Sequence, residues 1–305
     1  MTREELNKKK QEAIFVEQKK EKIKNFTVIF FKFSIVLIVG FLVFYLYTTF
    51  ISTSRLVIKE ERIFSSKIPD NFDGLKIIHF SDLHYGTTVF YDNLQTLVEQ
   101  VNLRKPDLVF FTGDLIDINY TISTAEQEKV INLLKSINSK LGKYAVAGEE
   151  DGELFDVIMK QSDFIVLNNS YELIYDDSNA PILLIGLGSY LNNDIMIDEA
   201  YGYFTDDTYN SNIFSISLLH EPDVIEKISS NYRSDLFLAG HSHNGTIRLP
   251  LIGPLYNEEG AKKYNDSFYQ IDDSKLFISG GIGTNGPGFR LFCRPSFNFF
   301  RISKK

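Results

Sequence analysis

Short apolar runs recur along the middle of the chain, at Leu75–Phe80, Leu108–Thr112, Tyr144–Ala147, Phe164–Leu167, Ile182–Leu187, Ile213–Leu219 and Leu236–Ala239. Each is only a few residues long and bounded by polar or glycine-containing segments, the pattern of buried strands. Helix-like stretches lie between several of them, among them "YDNLQTLVEQVNLR", "STAEQEKVINLLKSINSKLG" and "EPDVIEKISSNY". Strand and helix in alternation predict an α/β domain with a largely parallel sheet. Ahead of this series "SRLVIKEERIFS" predicts an edge strand closed by the turn "PDNFDG". From "NGTIRLPLIG" onward strand and turn character dominates, and "FNFFRISKK" predicts a closing strand. Residues 52–305 contain no internal repeat, low-complexity tract or Pro/Ser-rich linker, which predicts one compact domain.

A different pattern precedes that domain. Phe33 to Ile51 is a run of nineteen residues without a charge. As a helix it would extend about 28 Å, close to the hydrocarbon thickness of a bilayer. A buried core helix would show a polar face, and none is visible. A cleaved signal peptide is the other alternative. The long charged segment in front of it, the length of the run and the lack of a small-x-small cleavage site argue against that. The expected organisation is a basic cytoplasmic segment at 1–26, a transmembrane signal anchor at 27–51 and an exported domain at 52–305. Residues 1–26 carry eight Lys/Arg, which predicts a cytoplasmic N-terminus in a single-pass protein of the cell membrane.

Charge narrows the partners. The first 26 residues hold eight basic and five acidic side chains, a net +3; the whole chain is −8, so the remainder carries −11. An acidic domain of this kind excludes nucleic acid as an expected partner. The single cysteine, Cys293, rules out an internal disulfide and a cysteine-based zinc cluster.

The chemistry stands where the apolar runs end. "KIIHFSDLHYG" ends in Asp82 and His84, "LVFFTGDLID" in Asp114, and "YAVAGEED" in Glu149, Glu150 and Asp151. "FSISLLHEPD" ends in His220 and "LFLAGHSHNG" in His241 and His243. Open α/β sheets bind ligands at the carboxyl ends of their strands. Residues two apart on extended chain share a side, so Asp82 with His84, and His241 with His243, can serve one site. Four of the five histidines fall at these ends; the fifth, His79, lies inside an apolar run and reads as structural. Mixed imidazole and carboxylate ligands suit Zn, Mn or Fe. A carboxylate such as Asp114 can bridge two ions, an arrangement that activates water against phosphate esters. Taken singly, each element is also explained by a structural hydrogen bond or, for "GEED", by a polar turn.

The ordered set resembles the calcineurin-like metallophosphoesterases over roughly residues 56–300, and most closely their membrane-anchored bacterial branch, the YkuE- or YaeI-like proteins. "SDLHYG", "AGHSHNGTIRLPLIGPLYN" and "ISGGIGTNGPGFRLFCRP" carry the resemblance. It implies a four-layer α/β/β/α sandwich, here preceded by one transmembrane helix, with two divalent metal ions at the strand ends. By position, Asp82, His84, Asp114 and His243 would hold one ion, and Asp114, Glu149, His220 and His241 the other. Arg290, in the tail match, is expected to serve the fold rather than substrate.

The chain departs from that pattern at one place. Where the family has Gly-Asn-His-Asp, this sequence reads Gly148-Glu149-Glu150-Asp151. Glu149 can replace an amide oxygen as a ligand, adding a negative charge that holds metal but opposes an anionic phosphate. Glu150 stands where the family's catalytic histidine stabilises the transition state and protonates the leaving group. A carboxylate beside two cations stays ionised at neutral pH and has no proton to give. The implied activity is that of a metal-dependent phosphoric ester hydrolase, a phosphodiesterase acting through a metal-bound hydroxide near Asp114, with membrane lipid or a cell-envelope component as substrate. The alternative is a catalytically impaired, metal-binding surface domain that binds a ligand or protein.

Overall fold

The computed structural model describes residues 2–205, 210, 212–286 and 288–305. Met1, at the head of the basic segment, and Pro287, inside the tail stretch quoted above, lie outside them. Two compact units are present, residues 1–48 and 49–305. The first is a single helix, α1 (Arg3–Leu46), with Thr2 as its N-cap and Glu5 completing a capping box. The helical run to Ile51 is long and apolar enough to cross a membrane, and none of its most apolar stretch is buried.

The second unit is built on two six-stranded sheets. The first has the order β1 (Val57–Ser65), β14 (Ser296–Lys304), β2 (Leu75–Phe80), β3 (Leu108–Thr112), β4 (Gly142–Val146) and β5 (Ile165–Val166). The second runs β12 (Phe268–Ile271), β13 (Ser274–Ile278), β9 (Leu236–Ala239), β8 (Ser215–Leu218), β7 (Ile182–Gly186) and β6 (Ser170–Ile174). A two-residue hairpin, β10 (Arg248–Leu249) with β11 (Gly253–Pro254), stands apart. Helices α2 (Tyr91–Leu103), α3 (Thr124–Lys135) and α4 (Glu153–Gln161) belong to the first half, and the short α5 (Ile197–Ala200) and α6 (Ile225–Ile228) to the second.

The apolar runs are unbroken because both faces of their strands are covered. Along β2 and β3, Ile77, Leu108 and Phe110 face the space between the sheets, where Leu184, Ile216, Leu236 and Leu238 meet them. Ile78, Phe80, Val109 and Phe111 face the other way, onto Leu94, Leu97, Val130 and Ile158 of α2, α3 and α4. Leu183, Ile185, Phe237 and Ala239 of the second sheet pack instead on Ala200, Ile225 and Ile228. Three apolar cores thus separate four layers, helix, sheet, sheet, helix, as the resemblance implies.

Some elements differ from the sequence reading. The helix predicted through residue 142 ends at Lys135, because the Asn102 side chain binds Ser136 O and Asn138 N and turns the chain away. The strand β6 follows Asn169, which takes a positive φ and reverses the chain into the second sheet. The closing strand β14 is interior, parallel to β1 on one side and antiparallel to β2 on the other. Strands β2, β3 and β4 are mutually parallel, as are β7, β8 and β9, so each set delivers its carboxyl ends together.

Candidate metal centre

Two glycines let those strand ends meet. A β-carbon on Gly113, after β3, would sit 2.5 Å from both Gly148 N and His220 Nδ1. One on Gly148, after β4, would overlap Asp114 Oδ1 and lie 2.9 Å from Asp114 N. Only glycine permits this approach. Past the strands the backbone turns sharply: Asp82, His84, Asp114, His241 and His243 all take positive φ, between 39° and 65°. Left-handed backbone costs free energy for such residues and concentrates where function demands a fixed side-chain direction.

The result is two groups of side chains meeting at Asp114. Asp114, Glu149, His220 and His241 offer one ligand atom each, all within 4.8 Å of one another, and Asp82, His84 and His243 do the same. Asp114 Oδ2 lies 3.3 Å from His220 Nε2 and 3.6 Å from His84 Nε2, between the groups. Asp114 Oδ1 accepts from Glu150 N, and Asp82 Oδ1 from His241 N, which fixes both carboxylates. Asp82, His84, Asp114, His220, His241 and His243 are buried, whereas Glu149 is partly exposed and opens onto a cavity of about 550 Å³.

The outer nitrogens of three imidazoles meet oxygen. His220 Nδ1 donates to Thr112 O at 2.6 Å, and His241 Nε2 to Glu259 O at 2.6 Å. His84 Nδ1 lies 3.2 Å from Glu150 Oε2. Carbonyl and carboxylate oxygens only accept, so each neutral ring keeps its lone pair on the inner nitrogen, the arrangement that orients metal-binding histidines. His243 differs. Its Nδ1 faces the Arg290 guanidinium at 3.3 Å, which can only donate, and its Nε2 lies 3.1 Å from His84 Nε2.

Inside the centre, Glu149 Oε2, His220 Nε2 and His241 Nδ1 are buried without a hydrogen-bond partner among the described residues. Glu149 nevertheless sits 2.7 Å from His220 Nε2 and 2.8 Å from His241 Nδ1. The atoms are close but not aligned for hydrogen bonding. Buried polar atoms of this kind are costly unless something pairs them. A divalent cation fits the donor set, three carboxylates and four imidazoles.

Without a cation, protons carry the compensating charge. Burial opposes a charged His84, but the bond to Glu150 and the charges of Asp114 and Asp82 raise its pKa to about 9. Burial likewise opposes a charged His241, and Glu149 brings it to about 9. His220 is also raised, against burial, by Asp114 and Glu149. His243 is held well below the ordinary value by burial, with His84 and Arg290 adding to the effect. Glu149 and Asp114 are pulled down, against burial, chiefly by His220, whereas burial pushes Asp82 up.

All seven residues assigned by position therefore meet at one rim. Glu150 stands behind this group, its carboxylate taken up by His84 and by Ile118 N. Asp151 accepts from Asp114 N, Leu115 N and Gly148 N and shapes the loop, a role without a sequence signal beyond its position. Burial and the nearby Asp114 push its pKa to about 7. Arg290 is fully buried and donates to Gly280 O, Gly281 O and Gly283 O, and His79 is buried between Thr112 and Asn298.

Similarity to known proteins agrees with this geometry. The uncharacterized metallophosphoesterase YkuE of Bacillus subtilis is 30% identical over 85% of this chain and 89% of its own. The phosphodiesterase YaeI of Escherichia coli is 24% identical over 76% of this chain and 84% of its own. A Danio rerio transmembrane protein with a metallophosphoesterase domain is 26% identical over 75% of this chain, which spans 53% of that protein. The calcineurin-like phosphoesterase profile matches residues 75–245, more than half the length, and the chain belongs to that family.

Proposed function

We propose that this chain is a membrane-anchored phosphodiesterase using two divalent cations, Mn, Fe or Zn, with its N-terminus cytoplasmic and residues 52–305 outside the membrane. The supporting observation is that the buried inner nitrogens of His220 and His241 crowd within 2.8 Å of the Glu149 carboxylate without forming a hydrogen bond. In this reading Asp82, His84, Asp114 and His243 hold one cation, and Asp114, Glu149, His220 and His241 the other. When bound, the cations would supply Lewis-acid activation of phosphate and water.

The chain's own groups set the limits of the reaction. Thr112 O, Glu259 O and Glu150 fix three rings so that their inner nitrogens point inward. Glu149, at the edge of the cavity, adds a negative charge that opposes a dianionic monoester more than a monoanionic diester. Glu150 uses its carboxylate to accept from two donors, His84 Nδ1 and Ile118 N, rather than to serve a leaving group. Esters whose leaving group departs unprotonated are therefore favoured. The name of the relative YaeI also supports a diester substrate.

The test uses the full-length chain in detergent, loaded with Mn, Fe or Zn, and bis(p-nitrophenyl) phosphate, beside Asp114→Asn. Metal-dependent turnover lost in the variant supports the enzyme. Bound metal with no turnover on any activated ester instead favours a domain that binds metal and a partner without catalysis.

A further inference from the structure

We propose that the β10–β11 hairpin inserts its tip into a lipid bilayer surface and turns the cavity toward phosphodiesters held there; the substrate part rests on the phosphodiesterase reading above. Residues 249–256, Leu-Pro-Leu-Ile-Gly-Pro-Leu-Tyr, contain no charge. Leu251 is fully exposed, at 109% of its reference area, and Ile252 and Tyr256 are each 72% exposed. Leu251 also holds a positive φ of 68°, an unfavourable conformation for a bulky side chain that joins no apolar core among the described residues. Contiguous exposed apolar residues of this kind mark an interaction surface.

The chemistry of the hairpin fits a bilayer. Its tip, Leu251-Ile252, offers no side-chain hydrogen-bonding group, while Tyr256 stands at its base, an amphipathic ring suited to the headgroup level. Leu255 and Tyr256 line the same cavity as Glu149 and His241, so the apolar tip continues into the mouth of the candidate centre. The chain also carries a helix apolar enough to span a membrane, ending at Ile51, and β1 begins at Val57. Only five residues separate the two, so the domain is tethered to the helix by a short stretch of chain.

The test places an environment-sensitive fluorophore on Leu251→Cys in the full-length chain, reconstituted in vesicles of phosphatidylethanolamine and phosphatidylglycerol. Leu103→Cys, at the exposed end of α2, is the control, and the lone native Cys293 is buried. The expected result is a blue shift at 251 and quenching by spin-labelled lipid, with neither at 103. A solvent-like, unquenched signal at 251 overturns the docking, as does a blue shift without lipid quenching, which burial against a second copy would give. A second arm uses Leu251→Asp/Ile252→Asp. Its kcat/KM on a chromogenic phosphodiester lipid in the vesicles is expected to fall by at least about tenfold, with hydrolysis of soluble bis(p-nitrophenyl) phosphate unchanged. Equal loss on both substrates overturns the proposal. A wild-type chain that turns over neither substrate, yet shows lipid quenching at 251, removes the substrate assignment and leaves the docking.

Discussion

Glu149 Oε2 lies 2.7 Å from His220 Nε2, yet the two buried atoms form no hydrogen bond. Two groups held this close and this poorly aligned are positioned for a third. If that third group is a cation, Glu149→Ala is expected to lower bound metal from two ions per chain to one, by elemental analysis. Glu149→Asn keeps an oxygen ligand but removes a charge. It should bind metal more weakly and raise kcat/KM on an anionic diester about tenfold, roughly 1.4 kcal/mol of barrier. A metal content unchanged by Glu149→Ala would place the ion elsewhere.

Glu150 acts through His84 in this account. Glu150→Ala should weaken metal binding by about 10- to 100-fold, the usual effect of removing a partner that orients a ligand. Glu150→Gln retains an acceptor for His84 Nδ1 and should recover most of that loss. Both affinities can be measured by competition with a chelating dye. Equal losses in the two variants would contradict the orienting role.

Gly148 offers a steric test. A methyl group there would overlap Asp114 Oδ1, which Glu150 N holds in place. Gly148→Ala is expected to retain its far-ultraviolet circular dichroism while losing metal affinity by more than about tenfold. Unchanged affinity would mean that Asp114 does not bind metal from this position.

The pH dependence has a definite sign. His84 and His241 rise from 6.5 to about 9 in the metal-free fold. Their contribution to metal-free stability is fully present below pH 6.5 and is lost as pH rises through 9. Cations compete with those same protons, so metal affinity rises over that window and loading at pH 7 releases more than one proton. Thermal unfolding with and without Mn should therefore show a metal-induced stabilisation that grows from pH 6.5 to 9. A constant increment would contradict the assigned ligands.

Much of this was legible in the sequence for a simple reason. Histidine is scarce here, and Asp82, His84, Asp114, His220, His241 and His243 each follow an apolar run that becomes a strand in a parallel set. Other features could not be read. A run buried on both faces looks the same in either sheet, so "LFLAG" does not reveal that β9 belongs to a different sheet from β3. Thr112 O and Glu259 O set two tautomers with backbone atoms, which leave no mark in side-chain identity. Glu150 stood out as a departure, but its engagement with His84 depends on a turn that only the fold supplies.

His243 suggests an order of filling. Its Nδ1 faces the donor Arg290 and its Nε2 faces His84 Nε2, so no oxygen acceptor sets its ring, whereas the rings of His220 and His241 are already set. The position at Asp114, Glu149, His220 and His241 should bind first, and titration calorimetry should resolve two affinities. The most direct measurement of the central claim is metal content: the full-length chain, stripped and reloaded with Mn, Fe or Zn, then weighed by elemental analysis against Asp114→Asn. Two ions per chain, falling to one or none in the variant, is the predicted result. An empty chain after reloading, or a variant that binds as much as the parent, would contradict it.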